Sequence, residues 1–356
     1  MRELIEGLMT NPSLKKLVVM PLTRLLFYEP FAINGFHFFP SGAFAPTLLR
    51  PIPNKTLDSV RGGADLIAHS EQGLREISTS LTGFDVEILS SSSLVVFNAE
   101  IDWNEFLEAN HEYDISLLKL LSSKAERALD IIRLFYCRLD LPNTLPGQVG
   151  SWEGSREYLG ALLYSPEDHE SYLIAGAAVE SSVIVRGLGL ELDGNPQLVL
   201  PSANDGEVAG VVLHGLSLYS EALNSSNETI KFSRLMTLFE FLASPDEYQN
   251  WKKIKGDISC HSAGDKTSYL RLCERFRELT SIEDTSGKQL GLRTLIVHNG
   301  KLLPELLPSF KDRTALFREL QGYAFTVLTD MLSNAGASWA EYVEHRNQLK
   351  RALGVT

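Results

Sequence analysis

Residues 231–243 read KFSRLMTLFEFLA, and Phe232, Leu235, Met236, Phe239 and Leu242 recur at the three- and four-residue steps of one helix face. The same spacing continues on both sides. Val208, Val211, Val212, Leu216, Tyr219 and Leu223 form a stripe before it. Tyr269, Leu272, Cys273, Phe276 and Leu279 form one after it. Leu316, Leu320, Tyr323, Val327 and Met331 mark another long helix, and residues 339–353 a last amphipathic one. Stripes of this width face a shared core, so the region after residue 205 is expected to be an all-helical bundle.

Upstream the pattern changes. Residues 193–206 (DGNPQLVLPSANDG) carry two Pro and several Asn, Asp and Gly around one short apolar run, as an inter-domain boundary would. Before it, residues 17–21, 32–39, 85–89, 94–97, 159–164, 171–174 and 182–190 are short β-rich runs separated by turn residues. Between them, residues 114–139 repeat apolar side chains at helical spacing. The fold expected is an α+β N-terminal domain over 1–204, mainly antiparallel sheet, followed by a helical domain over 205–356.

Lys and Arg number 33 against 45 Asp and Glu, a formal net charge of -12, which argues against a general nucleic-acid coat. The imbalance is local. Before Asp205 there are 15 basic and 26 acidic residues, and from Asp205 onward 18 and 19. Residues 252–318 hold 13 basic against 8 acidic ones. Solvated helix faces and an anion-binding surface account equally for that basic segment. The three cysteines, Cys137, Cys260 and Cys273, have no CxxC spacing, so neither a disulfide framework nor a zinc ribbon is expected and a reducing cytoplasm fits. The apolar run after Lys16 is broken by Pro21 and Arg24, so no signal peptide is expected. No stretch reaches the roughly 20 apolar residues of a membrane span.

Within the basic segment, residues 292–301 read LRTLIVHNGK. A short apolar helix is expected over 287–298, with Gly300 just past its end, where a left-handed residue is common. Arg293 and His298 lie five steps apart, which turns roughly 140° around an ideal helix. They converge only if the helix ends or distorts there, or if two copies of the motif meet across an interface. Asn299-Gly300 favours the first route, and a dimer supplies the second.

Over residues 205–334 the chain resembles the HEPN superfamily, in particular its Apea-like branch. That family is a helical bundle carrying an Arg, four to six residues, then a His near the end of a late helix. The stretch at 231–243 is similar to the branch's aromatic-rich early helix with an internal Glu, here Glu240. The sequence departs from the family's pattern at Thr294, where many active members have Asn, Asp or His. The resemblance implies a metal-independent endoribonuclease acting as a homodimer or higher homo-oligomer, with both motifs lining one cleft. It implies Arg293 and His298 as the catalytic pair. Family members often act as toxins or in defence against phage, so the front domain would be a sensor, or a cover released by a trigger. A non-catalytic HEPN scaffold, binding nucleotide or a partner protein, is the other reading.

The chemistry suits those side chains. Cleaving RNA by transesterification needs a 2′-hydroxyl deprotonated, a 5′-oxygen protonated and an anionic phosphorane stabilised. An imidazole, ordinarily titrating near pH 6.5, can give or take a proton at neutrality. A guanidinium stays charged and can hold two phosphate oxygens at once. Thr294 and Asn299 are candidates for hydrogen bonds to phosphate. Glu240 either orients Arg293 through a salt bridge or is a solvated helix residue. Arg271, Arg275, Arg277 and Lys301 are candidates for RNA phosphate contacts, although the three arginines fit equally as partners of Glu274 and Glu278. No cofactor is called for. The histidines lack HExxH spacing and Cys260-His261 has no further nearby ligands. Gly187 and Gly189 lack a third glycine, GxxxxGK[ST] and GxSxG are missing, and the SLKK at 13–16 has no partner motifs.

Overall fold

The computed structural model describes residues 15–51, 71–141, 144–155, 157–178, 189–283, 285, 287 and 290–355. The chain divides into two compact units, one of residues 1–129 and 143–199, the other of residues 130–142 and 200–356. Residues 130–142 thus join the helical unit although they precede the sequence boundary by some sixty residues.

The described elements of the first unit are, in order, β1 (Lys15–Leu22), β2 (Leu25–Leu26), β3 (Phe31–Ile33), β4 (Phe36–Phe39), a 3-10 turn (Pro46–Leu49), α1 (Glu71–Thr82), α2 (Val86–Ser91), β5 (Ser93–Glu100), α3 (Trp103–Glu108), α4 (His111–Tyr136), β6 (Leu159–Ser165), β7 (Glu170–Gly176) and β8 (Leu190–Glu191). Helix α4 runs on into the residues of the second unit. A six-stranded antiparallel sheet has the order β3-β4-β5-β1-β6-β7. Its centre is β1, KKLVVMPL, paired with β5 from Lys15↔Glu100 to Leu22↔Ser93. Every β1 residue after Lys15 is buried, so both faces of the sheet are covered. On one face Leu17, Val19, Val96 and Leu162 pack with Phe39, Phe44, Phe84 and Trp152. The other is covered by α4, whose Ile115 lies against Gly176 and whose Lys124 sits over the Phe97 ring.

Three expectations need correction or refinement. The run at 32–39 is a hairpin, because Asn34 and Gly35 both take positive φ (44° and 81°), the tight turn that matches strand twist. Residues 85–89, expected as strand, open helix α2: the Asp85 carboxylate accepts the Ile88 N–H at 2.8 Å, and this N-cap outweighs the β propensity of Val86 and Ile88. Helices α1 and α3 were not legible in the apolar pattern. Of the strand expected over 182–190, residues 182–188 lie outside the described residues, and Leu190–Glu191 pairs in parallel with β2.

Asp114 of α4 is 1% exposed and its Oδ2 receives Arg75 Nε at 2.8 Å. Burial nevertheless pushes its carboxyl from an ordinary 3.8 up to about 6. Between those two values the folded chain keeps a proton that the unfolded chain has released. Stability contributed by protonated Asp114 is therefore lost as pH rises through about 4 to 6, by up to roughly 3 kcal/mol. Urea titrations at pH 4.5 and 7 should show about 2 kcal/mol of that decrement in the wild type and a smaller one in Asp114→Asn.

The second unit adds α5 (Glu207–Asn224), α6 (Glu228–Ala243), α7 (Trp251–Ser262), α8 (Lys266–Thr280), α9 (Leu292–Val297), α10 (Leu303–Leu306), α11 (Phe310–Ser333) and α12 (Trp339–Ala352). Its core draws on the expected stripes: Val212, Leu216, Tyr219, Phe232, Leu235, Phe239, Phe276, Leu279, Leu320 and Val327 are all buried, while Val211, Tyr269, Leu272, Cys273 and Tyr323 of the same stripes are half-buried. Side-chain caps start several helices, Asn227 on α6, Asp265 with Ser268 on α8, and Ser338 with Glu341 on α12. Residues 130–142 are tied in by polar contacts. Buried Lys231 donates to Leu139 O at 3.1 Å, and Gln321 exchanges hydrogen bonds with Cys137 O and Leu139 N at 2.9 and 2.8 Å. Among the described residues no helix is long and apolar enough to cross a membrane.

Candidate functional site

Helix α9 is short because both of its ends are pinned. At its start Gly291 is buried against the end of α8, where a Cβ would stand 2.4 Å from Thr280 C and 2.5 Å from Ser281 N. Thr294 then donates its hydroxyl to Thr280 O at 2.7 Å, and Ile296 is buried. At its end Gly300 takes φ 67°, and the N–H groups of Gly300 and Lys301 return to Ile296 O and Leu295 O. Gly291→Ala should cost about 2 kcal/mol, because backbone on both sides of the contact cannot move apart cheaply. A thermal melt that matches wild type would refute this account of the α8–α9 junction.

The pinned helix sets out the motif as follows. Arg293 is partly buried and its Nη2 lies 2.7 Å from Glu240 Oε1 on α6. The same Oε1 receives the indole N–H of Trp251, at the start of α7, at 2.8 Å. His298 occupies the C-cap of α9, still right-handed (φ -99°, ψ -26°), and is exposed. Among the described residues, no hydrogen bond or ion pair engages its side chain. Asn299 and Lys301 are exposed beside it. Arg293 and His298 are thus not joined to each other within one chain: the first is held by α6, the second stands free at the helix end.

The other candidate residues sort by their partners. Glu240 is the salt-bridge partner of Arg293, one of the two roles the sequence allows. Thr294 has its hydroxyl committed to Thr280 O, which ties α9 to α8. Arg275 is clamped by both oxygens of Glu319, at 2.9 and 3.0 Å, and by Glu278 at 2.8 Å. Arg277 makes a long 3.4 Å contact with Glu274, both half exposed. Arg271 is exposed. Arg271, Arg277 and Lys301 are therefore exposed cations, with Arg277 loosely paired, whereas Arg275 is committed to two carboxylates. Trp251 escaped sequence reasoning, since an isolated Trp eleven residues after a helix Glu leaves no periodic signal. Among the described residues no group of three or more His, Cys, Asp or Glu is placed to hold a metal ion. Comparison with protein-family models, with curated proteins and with solved structures finds no match.

Proposed function

We propose that the helical unit is a metal-independent endoribonuclease of the HEPN type, with Arg293 and His298 as its catalytic residues. The observation that carries this is the pairing of a tethered cation with a free imidazole at the two ends of one short helix. The Glu240 carboxylate holds Arg293 by one nitrogen and leaves the rest of the guanidinium available. His298 is presented to solvent by a helix end that Gly300 closes. In the reaction, one imidazole takes the proton of the 2′-hydroxyl as its oxygen attacks the adjacent phosphorus. Arg293 stabilises the charge that gathers on the phosphorane oxygens. An imidazole then returns a proton to the departing 5′-oxygen, giving a 2′,3′-cyclic phosphate and a 5′-hydroxyl. The roughly 140° between the two positions argues for a composite site in a homodimer, where each copy supplies one His. The acidic first unit would act as sensor or cover, with a trigger acting on it.

The test is to incubate the protein with tRNA and total RNA in EDTA and to analyse the product ends. Cyclic phosphate and 5′-hydroxyl ends support the reading. Intact RNA overturns it in favour of a scaffold that binds without cutting, and 5′-phosphate ends overturn it in favour of hydrolytic cleavage by another route.

A further inference from the structure

We infer that Trp251 is a positioning residue for Arg293, acting through Glu240; this rests on the nuclease reading above. One carboxylate oxygen, Glu240 Oε1, serves both neighbours, receiving Trp251 Nε1–H at 2.8 Å and facing Arg293 Nη2 at 2.7 Å. A Glu side chain with a single partner could swing about its long stem. A second donor, from a ring that cannot swing, fixes where that oxygen stands. The ring is itself fixed, because Trp251 stacks on buried Phe276 with centroids 6.0 Å apart and planes at 23°. Phe276 belongs to the core between α6, α7, α8 and α11, where it also meets Phe239 and Tyr323. A rigid path therefore runs from the bundle core through an indole and a carboxylate to a guanidinium. Its purpose is to engage one edge of Arg293 and aim the remaining N–H groups outward, where a phosphate can take two of them.

Trp251→Phe tests this, because it keeps an aromatic ring to pack against Phe276 and removes the N–H along with one of the two fused rings; a control at Arg313 reports any loosening from the lost volume. Arg293 would then wander with Glu240, and its guanidinium would react about threefold or more faster with phenylglyoxal, read by peptide mass. Glu240→Gln should accelerate labelling at least as much, and adding Trp251→Phe to it should change little further. Arg313, which pairs with Glu228 at 2.6 Å, is the internal control and should label at the wild-type rate in both variants. In the RNA assay Trp251→Phe should lower kcat about tenfold with KM nearly constant. An unchanged Arg293 labelling rate in Trp251→Phe overturns the positioning role whatever the cleavage assay shows. A general rise at Arg313 as well as Arg293 also overturns it, since that reports loosened structure. If wild type leaves RNA intact, the nuclease reading fails separately, and the labelling still decides whether Trp251 holds Arg293.

Discussion

Arg293→Ala and His298→Ala should each slow RNA cleavage by about a hundredfold or more while leaving the fold intact. The first half follows from the division of labour. Without the guanidinium the phosphorane charge is left to solvent. Without the imidazole neither proton transfer has a positioned partner. The second half follows from exposure. The Arg293–Glu240 pair is partly exposed on both sides, 23% and 25%, so it contributes about 1 kcal/mol or less to stability. His298 is exposed and buries nothing when truncated. Thermal melts within a few degrees of wild type, together with a large loss of cleavage, are the expected combination. Variants that cut as fast as wild type would remove the nuclease assignment. If the site is composite, a mixture of the two inactive variants should recover part of the activity, because a mixed dimer brings one Arg293 and one His298 back into the shared cleft.

The largest stability effect is expected at Arg346 of α12. This arginine is 2% exposed. Its Nη1 and Nη2 donate to Ala243 O and Leu242 O at 3.0 and 2.6 Å, so it satisfies carbonyls that the end of α6 leaves without helical partners. The guanidinium also lies over the rings of Trp339 and Tyr342, at 5.2 and 4.8 Å. Its Nε donates to His261 Nε2 at 3.3 Å, which leaves the His261 proton on Nδ1, facing Asp330 at 3.3 Å. Burial works against the Asp330 carboxylate, but hydrogen bonds from His261, Tyr342 and His345 hold it well below the usual carboxylate range. Arg346→Ala would strand two carbonyls and leave a gap between two rings, at a cost of about 3–5 kcal/mol. For a unit of this size that lowers the melting temperature by roughly 10 °C. Arg346→Lys should recover little, because an ammonium cannot reach both carbonyls while stacking flat on the rings. A melt near wild type for either variant would show that α12 is held by something other than this network.

The helical unit was largely legible because its buried stripes are long and periodic; along Val208 to Leu223 and Leu316 to Met331 every expected position is buried except Val211 and Tyr323, which are half-buried. Helix α7 was not, since only Ile254 and Ile258 give it an apolar face and its other buried positions are Gly256, Ser259 and Cys260. The errors in the first unit came from local hydrogen bonds that apolar pattern does not record, such as the Asp85 cap and the Asn34-Gly35 turn. In the site, the convergence of Glu240 on Arg293 spans fifty-three residues and no spacing rule reaches that far. The closing role of Gly300 was visible because a glycine after a helix carries its reason with it.

The discontinuous make-up of the helical unit has a consequence for its synthesis. Residues 130–142 are made well before residues 200–356, and at about 5–20 residues per second the interval to Gln321 alone is roughly ten seconds or more. During that time Leu139 and Asp140 lack the Lys231, Gln321 and Arg318 side chains that meet them in the finished bundle. A fragment begun at residue 200 would lack them permanently: buried Lys231 would lose its carbonyl acceptor, and Phe325 its edge-on contact with Phe135. Such a fragment would be quiet for reasons of assembly alone, so a trial of the first unit as a cover calls for a fragment that carries residues 130–142 with it.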